Sequence, residues 1–193
     1  MAPKEPTAAQ ETPSIPWLFL GGYFLFFIGL ALSLVGGFES AGPRANARPS
    51  MNQTSALVLV ALGIAVSAAG SLILIRSEQI RRCHFAGLLV IFVMTPIPAF
   101  LGLGINYLGA QLRKAANVTV AVILVGAGVF LLALAGSWSS AVLHGGTGAR
   151  DLRPGAWPIV ANLGVVALLL AATPLLFARH EAAPAVPDEN AKQ

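Results

Sequence analysis

The chain has 193 residues, 56% of them hydrophobic and only 10% charged, with a mean hydropathy of +0.76. A soluble domain averages about 25% charged residues, so composition excludes a soluble enzyme, a nucleic-acid-binding domain and a disulfide-stapled secreted module. The net charge of +4 is no nucleic-acid signal, because arginines flanking apolar stretches produce it, and the single cysteine, Cys83, has no intramolecular partner.

Charges interrupt the sequence rather than pervade it. They leave five charge-free runs, 12–38, 49–75, 83–112, 115–149 and 154–178, of 27, 27, 30, 35 and 25 residues. About 20 apolar residues in a helix cross a hydrocarbon core of about 30 Å. Each run is long enough, and none shows the alternation of a membrane barrel strand. The expected fold is all-α, a polytopic helical membrane protein with five transmembrane helices.

Residues 1–16 are polar and proline-containing and read as a disordered tail. The single helical membrane domain then covers 17–178, with spans at about 17–38, 55–75, 85–108, 118–143 and 158–178. The first is read as a retained span, because its apolar stretch exceeds a signal peptide's and the Ala45-Asn46-Ala47 sequence lies well past its end. Residues 39–54 form a loop with Pro43 and Pro49, and 144–155 a glycine-rich one. Trp17, Phe38, Trp138, Trp157 and Phe177 sit at span ends, as an interfacial aromatic belt would. Residues 179–193 form a second disordered polar tail.

The third run leaves two readings open. Pro96 and Pro98 each remove a backbone donor near its middle and crowd the preceding turn. The run is either one kinked span or a re-entrant or interfacial hairpin at 84–112, which makes four spans. With five spans the twelve Lys and Arg divide six against six, and no orientation follows. With four, Lys4, Arg76, Arg81, Arg82, Arg113, Lys114, Arg179 and Lys192 share one side, against Arg44, Arg48, Arg150 and Arg153. Half-helices of about 12 residues reach only about 18 Å, which favours the five-span form.

The two outer hairpins echo each other weakly. Gly36-Gly37-Phe38 stands against Gly136-Ser137-Trp138, and Arg48-Pro49 against Arg153-Pro154. Internal repeats are common in transporter folds, although any two hairpins rich in Leu, Ala and Gly share such features.

No Asp, Glu, Lys or Arg lies inside a predicted span. Ionisable groups at membrane depth mark proton relays and ion paths, so an ion-coupled pump is disfavoured. His84, His144 and His180 fall at span ends or beyond them, and no catalytic, cofactor or metal set emerges. His144-Gly145-Gly146-Thr147-Gly148 lacks the Lys and Ser/Thr of a phosphate loop. Asn106 and Asn162 are the most polar groups at depth, and with Pro96 and Pro98 they are the candidate polar membrane positions. Gly63, Ser67 and Ser71 form a candidate helix-packing face, where small side chains let backbones approach. Arg76, Arg81 and Arg82 are candidate contacts to lipid headgroups. Asn52 and Asn117 begin glycosylation-type sequences, each abutting a span.

The functional expectation is a small non-enzymatic multi-pass protein of a cell membrane, plasma or bacterial inner. It serves as a packing or accessory subunit, with the lipid bilayer, its own copies or a larger membrane complex as partners and no nucleic acid. The alternative is a small oligomeric transporter or channel with its path near the Pro96–Pro98 break.

Overall fold

The computed structural model describes residues 16–40, 51–80, 84–115, 117–144 and 156–177. Among them the chain is entirely helical: α1 Trp17–Ser40, α2 Gln53–Arg76, α3 Phe85–Met94, α4 Pro96–Lys114, α5 Val118–Leu143 and α6 Trp157–Phe177. Four helices, α1, α2, α5 and α6, are long and apolar enough to cross a membrane. The expected tails lie outside the described residues, save Pro16. The asparagines of the two glycosylation-type sequences are helix caps. Asn52 accepts from the Ser55 backbone N–H at 2.7 Å and Asn117 from that of Val120 at 3.3 Å, each satisfying a donor that the first turn leaves free.

The helices α1 and α2 form a tight antiparallel pair. The buried positions of α1 include Phe19, Gly22, Phe26, Gly29, Ser33, Gly36 and Ser40, in alternating steps of three and four. Those of α2 include Ala56, Val60, Gly63, Ser67, Gly70 and Leu74, in the same rhythm. A 3.5-residue repeat keeps one seam facing the partner along the whole pair. Glycine at every seventh place lets the backbones touch: a Cβ on Gly29 would sit 2.3 Å from the Ser67 nitrogen, and one on Gly63 2.4 Å from that of Ser33. Gly63, Ser67 and Ser71 of the expected i, i+4, i+8 face are buried, while the contact seam runs through Gly70 and Leu74.

The α5–α6 hairpin repeats this contact in a looser form. A Cβ on Gly128 would meet the Leu168 side chain at 2.8 Å and the Gly164 carbonyl at 3.0 Å. Gly29 faces Gly63, with Ser33 and Ser67 four residues on; Gly128 faces Gly164, with Leu132 and Leu168 four residues on. Each hairpin thus carries a glycine-to-glycine contact. Buried α5 residues are few, and only 11% of its apolar stretch is buried, against 39% in each of the other three. Helix α6 packs on α1, α2, α4 and α5 and carries the centre of the molecule.

The third run breaks at Thr95, whose φ of −137° and ψ of 64° leave the helical region. The expected span at 85–108 is not confirmed: α3 has 10 residues and α4 has 19, and neither is among the helices long and apolar enough to cross. Two prolines in the first turn of α4 lack the N–H groups that would tie it to α3. The two segments do not pack along each other as α1 and α2 do. Nor does α4 run beside α2. Gly102 faces Leu74 and Tyr23, Gly109 faces Ile75, and Arg113 bonds Arg76 and Ser77. About 16 Å of α4 therefore meets about 5 Å of α2, a steep crossing over the end of the α1–α2 pair.

We call this the near end, where α1 begins and α2 finishes. Because Arg113 is tied there and α5 starts at Val118, the segment from α2 to α5 leaves and returns at the same end. Val166 and Leu170 of α6 share a core with Phe19, Leu74 and Leu112, so α6 also finishes at the near end.

Candidate functional site

The polar groups at depth form two separate knots. Asn162, 1% exposed, lies where α6 meets both helices of the first hairpin. Its Nδ2 donates to Ser33 Oγ at 2.9 Å and to the Pro158 carbonyl at 2.8 Å, and its Oδ1 accepts from Ser67 Oγ. Both amide hydrogens are thus used. Ser33 donates to the Leu30 carbonyl at 2.9 Å, which leaves its lone pairs for Asn162. The Ser67 hydroxyl has one proton for two acceptors, Asn162 Oδ1 and the Ile64 carbonyl at 3.0 Å. Ser71, also buried, bonds the Ser67 carbonyl at 2.8 Å.

Asn106, also 1% exposed, closes the near end of α2. Its Nδ2 donates to Ser77 Oγ at 2.7 Å and to the Leu74 carbonyl at 3.0 Å, and Oδ1 accepts from the Ile80 N–H at 3.2 Å. Arg113 adds bonds to the carbonyls of Arg76 at 3.1 Å and Ser77 at 2.9 Å. A helix leaves its last four carbonyls without internal partners. Two side chains of α4 satisfy several of them and set a cation on the negative end of the α2 dipole.

The Pro96–Pro98 break belongs to neither knot. Thr95 donates to the Ile91 carbonyl at 2.8 Å and takes a hydrogen bond from the buried Tyr23 hydroxyl, which fastens the break to α1. Pro96 itself is exposed. Among the described residues Asn106 and Asn162 share no hydrogen-bond partner, and neither bonds the Pro96–Pro98 segment. Among the described residues the indole N–H groups of Trp138 and Trp157 and Nε of Arg113 are buried without a partner.

Arg76 is exposed at the end of α2; Arg113 is hydrogen-bonded to its backbone carbonyl, and the exposed Lys114 follows Arg113 in sequence. Arg81 and Arg82 lie outside the described residues, as do Cys83 and His180. His84 precedes α3 at the near end, whereas His144 closes α5 at the far end with Nδ1 2.9 Å from the Ser140 carbonyl. Among the described residues no three His, Cys, Asp or Glu are grouped to hold a metal ion. A groove of about 450 Å³ lies between the start of α5 and the end of α6, lined by Val118, Ala121, Val122, Val125, Ala171 and Pro174 with Asn117 at its edge.

Sequence reasoning missed Ser33, Tyr23 and Arg113. Ser33 had a signal available, since it falls in the three-four rhythm of small residues along α1. No protein-family model matches the chain, and no characterised protein or solved structure matches it either.

Proposed function

We propose that α1, α2, α5 and α6 cross the bilayer and that α3 and α4 lie along its near-end surface without crossing. Both termini then face the side that carries eight of the twelve basic residues, which the positive-inside rule makes cytoplasmic. In this arrangement the protein is a non-catalytic membrane component that packs against its own copies or a larger complex in a plasma or bacterial inner membrane.

One observation carries the reading: the deep polar groups are spent on holding helices together. A transport path needs polar atoms free to exchange partners with solute or water. The two Asn162 amide hydrogens go to Ser33 and Pro158, and Asn106 binds the end of α2. The outer face of α5 supports a packing role, because a Cβ on Gly126 or Gly136 would meet nothing within 4 Å among the described residues.

Reconstituted liposomes test this. Vesicles carrying the full chain are expected to leak protons, potassium and glycerol no faster than protein-free vesicles, with Asn106→Ala and Asn162→Ala alike. A wild-type flux abolished by either substitution, with the melting temperature unchanged, overturns the proposal in favour of a transporter.

A further inference from the structure

We infer that Arg76, Arg113 and Lys114 together bind the phosphate of an anionic phospholipid in the near-end leaflet. The inference rests on the four-span reading, which sets this cluster at headgroup level. The sequence separates Arg76 from Arg113 by 37 residues and from Lys114 by 38, and α4 returns Arg113 to the end of α2, with Lys114 next to it along the chain. Arg113 is held in place: its two terminal nitrogens each donate one hydrogen to an α2 carbonyl or to that of Ser77, and each keeps a second. Arg76 and Lys114 are exposed, and among the described residues no carboxylate is paired with either. The nearby Glu78 is one acidic group against three cations.

A free phosphate ion would need only the charges. Here an exposed apolar stripe leads along α4 on the face that carries Lys114, with Tyr107 and Phe100 one and two heptads before it and 54% and 73% exposed. Val93, Met94, Ile97 and Phe100 of the α3–α4 arm are 68–76% exposed. An apolar face lying in the interface next to a cationic one is the arrangement that binds anionic membrane surfaces. Arginine offers paired donors to phosphate oxygens, and lysine adds a point charge. Helix α2 places its negative dipole end here, but Asn106 and Arg113 already occupy several of its carbonyls, which leaves the outer cations for an external anion.

The test uses the full-length protein in neutral detergent, with melting temperature followed as phosphatidylglycerol, phosphatidylcholine or inorganic phosphate is added. Phosphatidylglycerol is expected to raise the melting temperature, and the other two are not. Arg76→Gln combined with Lys114→Gln is expected to shift the phosphatidylglycerol midpoint roughly 30-fold upward, since each cation near the surface contributes one comparable step. Arg76→Lys combined with Lys114→Arg should restore it. Should the double variant melt lower even without lipid, Lys114→Gln alone should still move the midpoint roughly fivefold. An unmoved midpoint, or equal stabilisation by phosphatidylcholine, overturns the site; an equal effect of inorganic phosphate overturns the assignment to lipid. Failure of the four-span reading shows separately, as opposite-side labelling of Cys83 and of Ala115→Cys in sealed vesicles.

Discussion

Asn106 and Asn162 are the same residue type at the same burial, yet their neighbours give them different energetic weight. Truncating Asn162 leaves Ser33 and Ser67 with their own helix carbonyls as partners. Interhelical hydrogen bonds in membranes average about 0.6 kcal/mol and reach about 1.7, so Asn162→Ala should cost about 1–2 kcal/mol. Truncating Asn106 strips the end of α2 and leaves the Ile80 N–H without its acceptor. Its cost should reach about 2–3 kcal/mol. Unfolding by SDS titration in mixed micelles orders the two, and a larger loss for Asn162→Ala would contradict this account. Both asparagines were legible in the sequence as amides in apolar runs. Their partners were not, because Ser33 is 129 residues from Asn162 and Leu74 is 32 from Asn106.

At the scale of elements, glycines divide by what their missing side chains would strike. A methyl on Gly29, Gly63 or Gly70 would come within 2.3–2.4 Å of a backbone nitrogen across the α1–α2 seam. Neither helix can yield there without parting from the other along its length. Gly29→Ala and Gly63→Ala are each expected to cost about 1–3 kcal/mol. Gly126 and Gly136 on α5 have nothing within 4 Å. Their alanine variants should stay within about 0.5 kcal/mol of wild type, and thermal unfolding in detergent separates the classes. The seam was partly legible: Gly63 and Ser67 lie on it and Ser71 is buried beside it, but a four-residue step drifts round the helix. The actual seam keeps a 3.5-residue average, and which residues of α1 meet which of α2 appears only when the two helices are set side by side. The break at Pro96 was legible from the prolines alone, since the lost donors act locally.

For the whole molecule the open question was how many times the chain crosses. Arg113 sits on the end of α2, and α5 begins a few residues later. Cys83 and a cysteine introduced by Ala115→Cys in a Cys83→Ser chain should therefore react with an impermeant maleimide from the same side of sealed vesicles. Labelling from opposite sides would require α3 and α4 to cross and would undo the near-end arrangement. Same-side labelling also brings Arg113 and Lys114 to the basic side, turning a six-to-six division into eight against four.

The sequence by itself determined that the protein is helical and apolar enough for a bilayer, where the long helices run, and where prolines interrupt the third run. These follow from length, hydropathy and proline, all local quantities. The tertiary structure decided how that third run lies, which small residues touch, and that the deep amides bind helices to one another. Those outcomes depend on carbonyls left free at a helix end and on side chains far away in sequence that come to satisfy them. A hydropathy pattern records that a segment avoids water, and it carries no record of the neighbour that takes water's place.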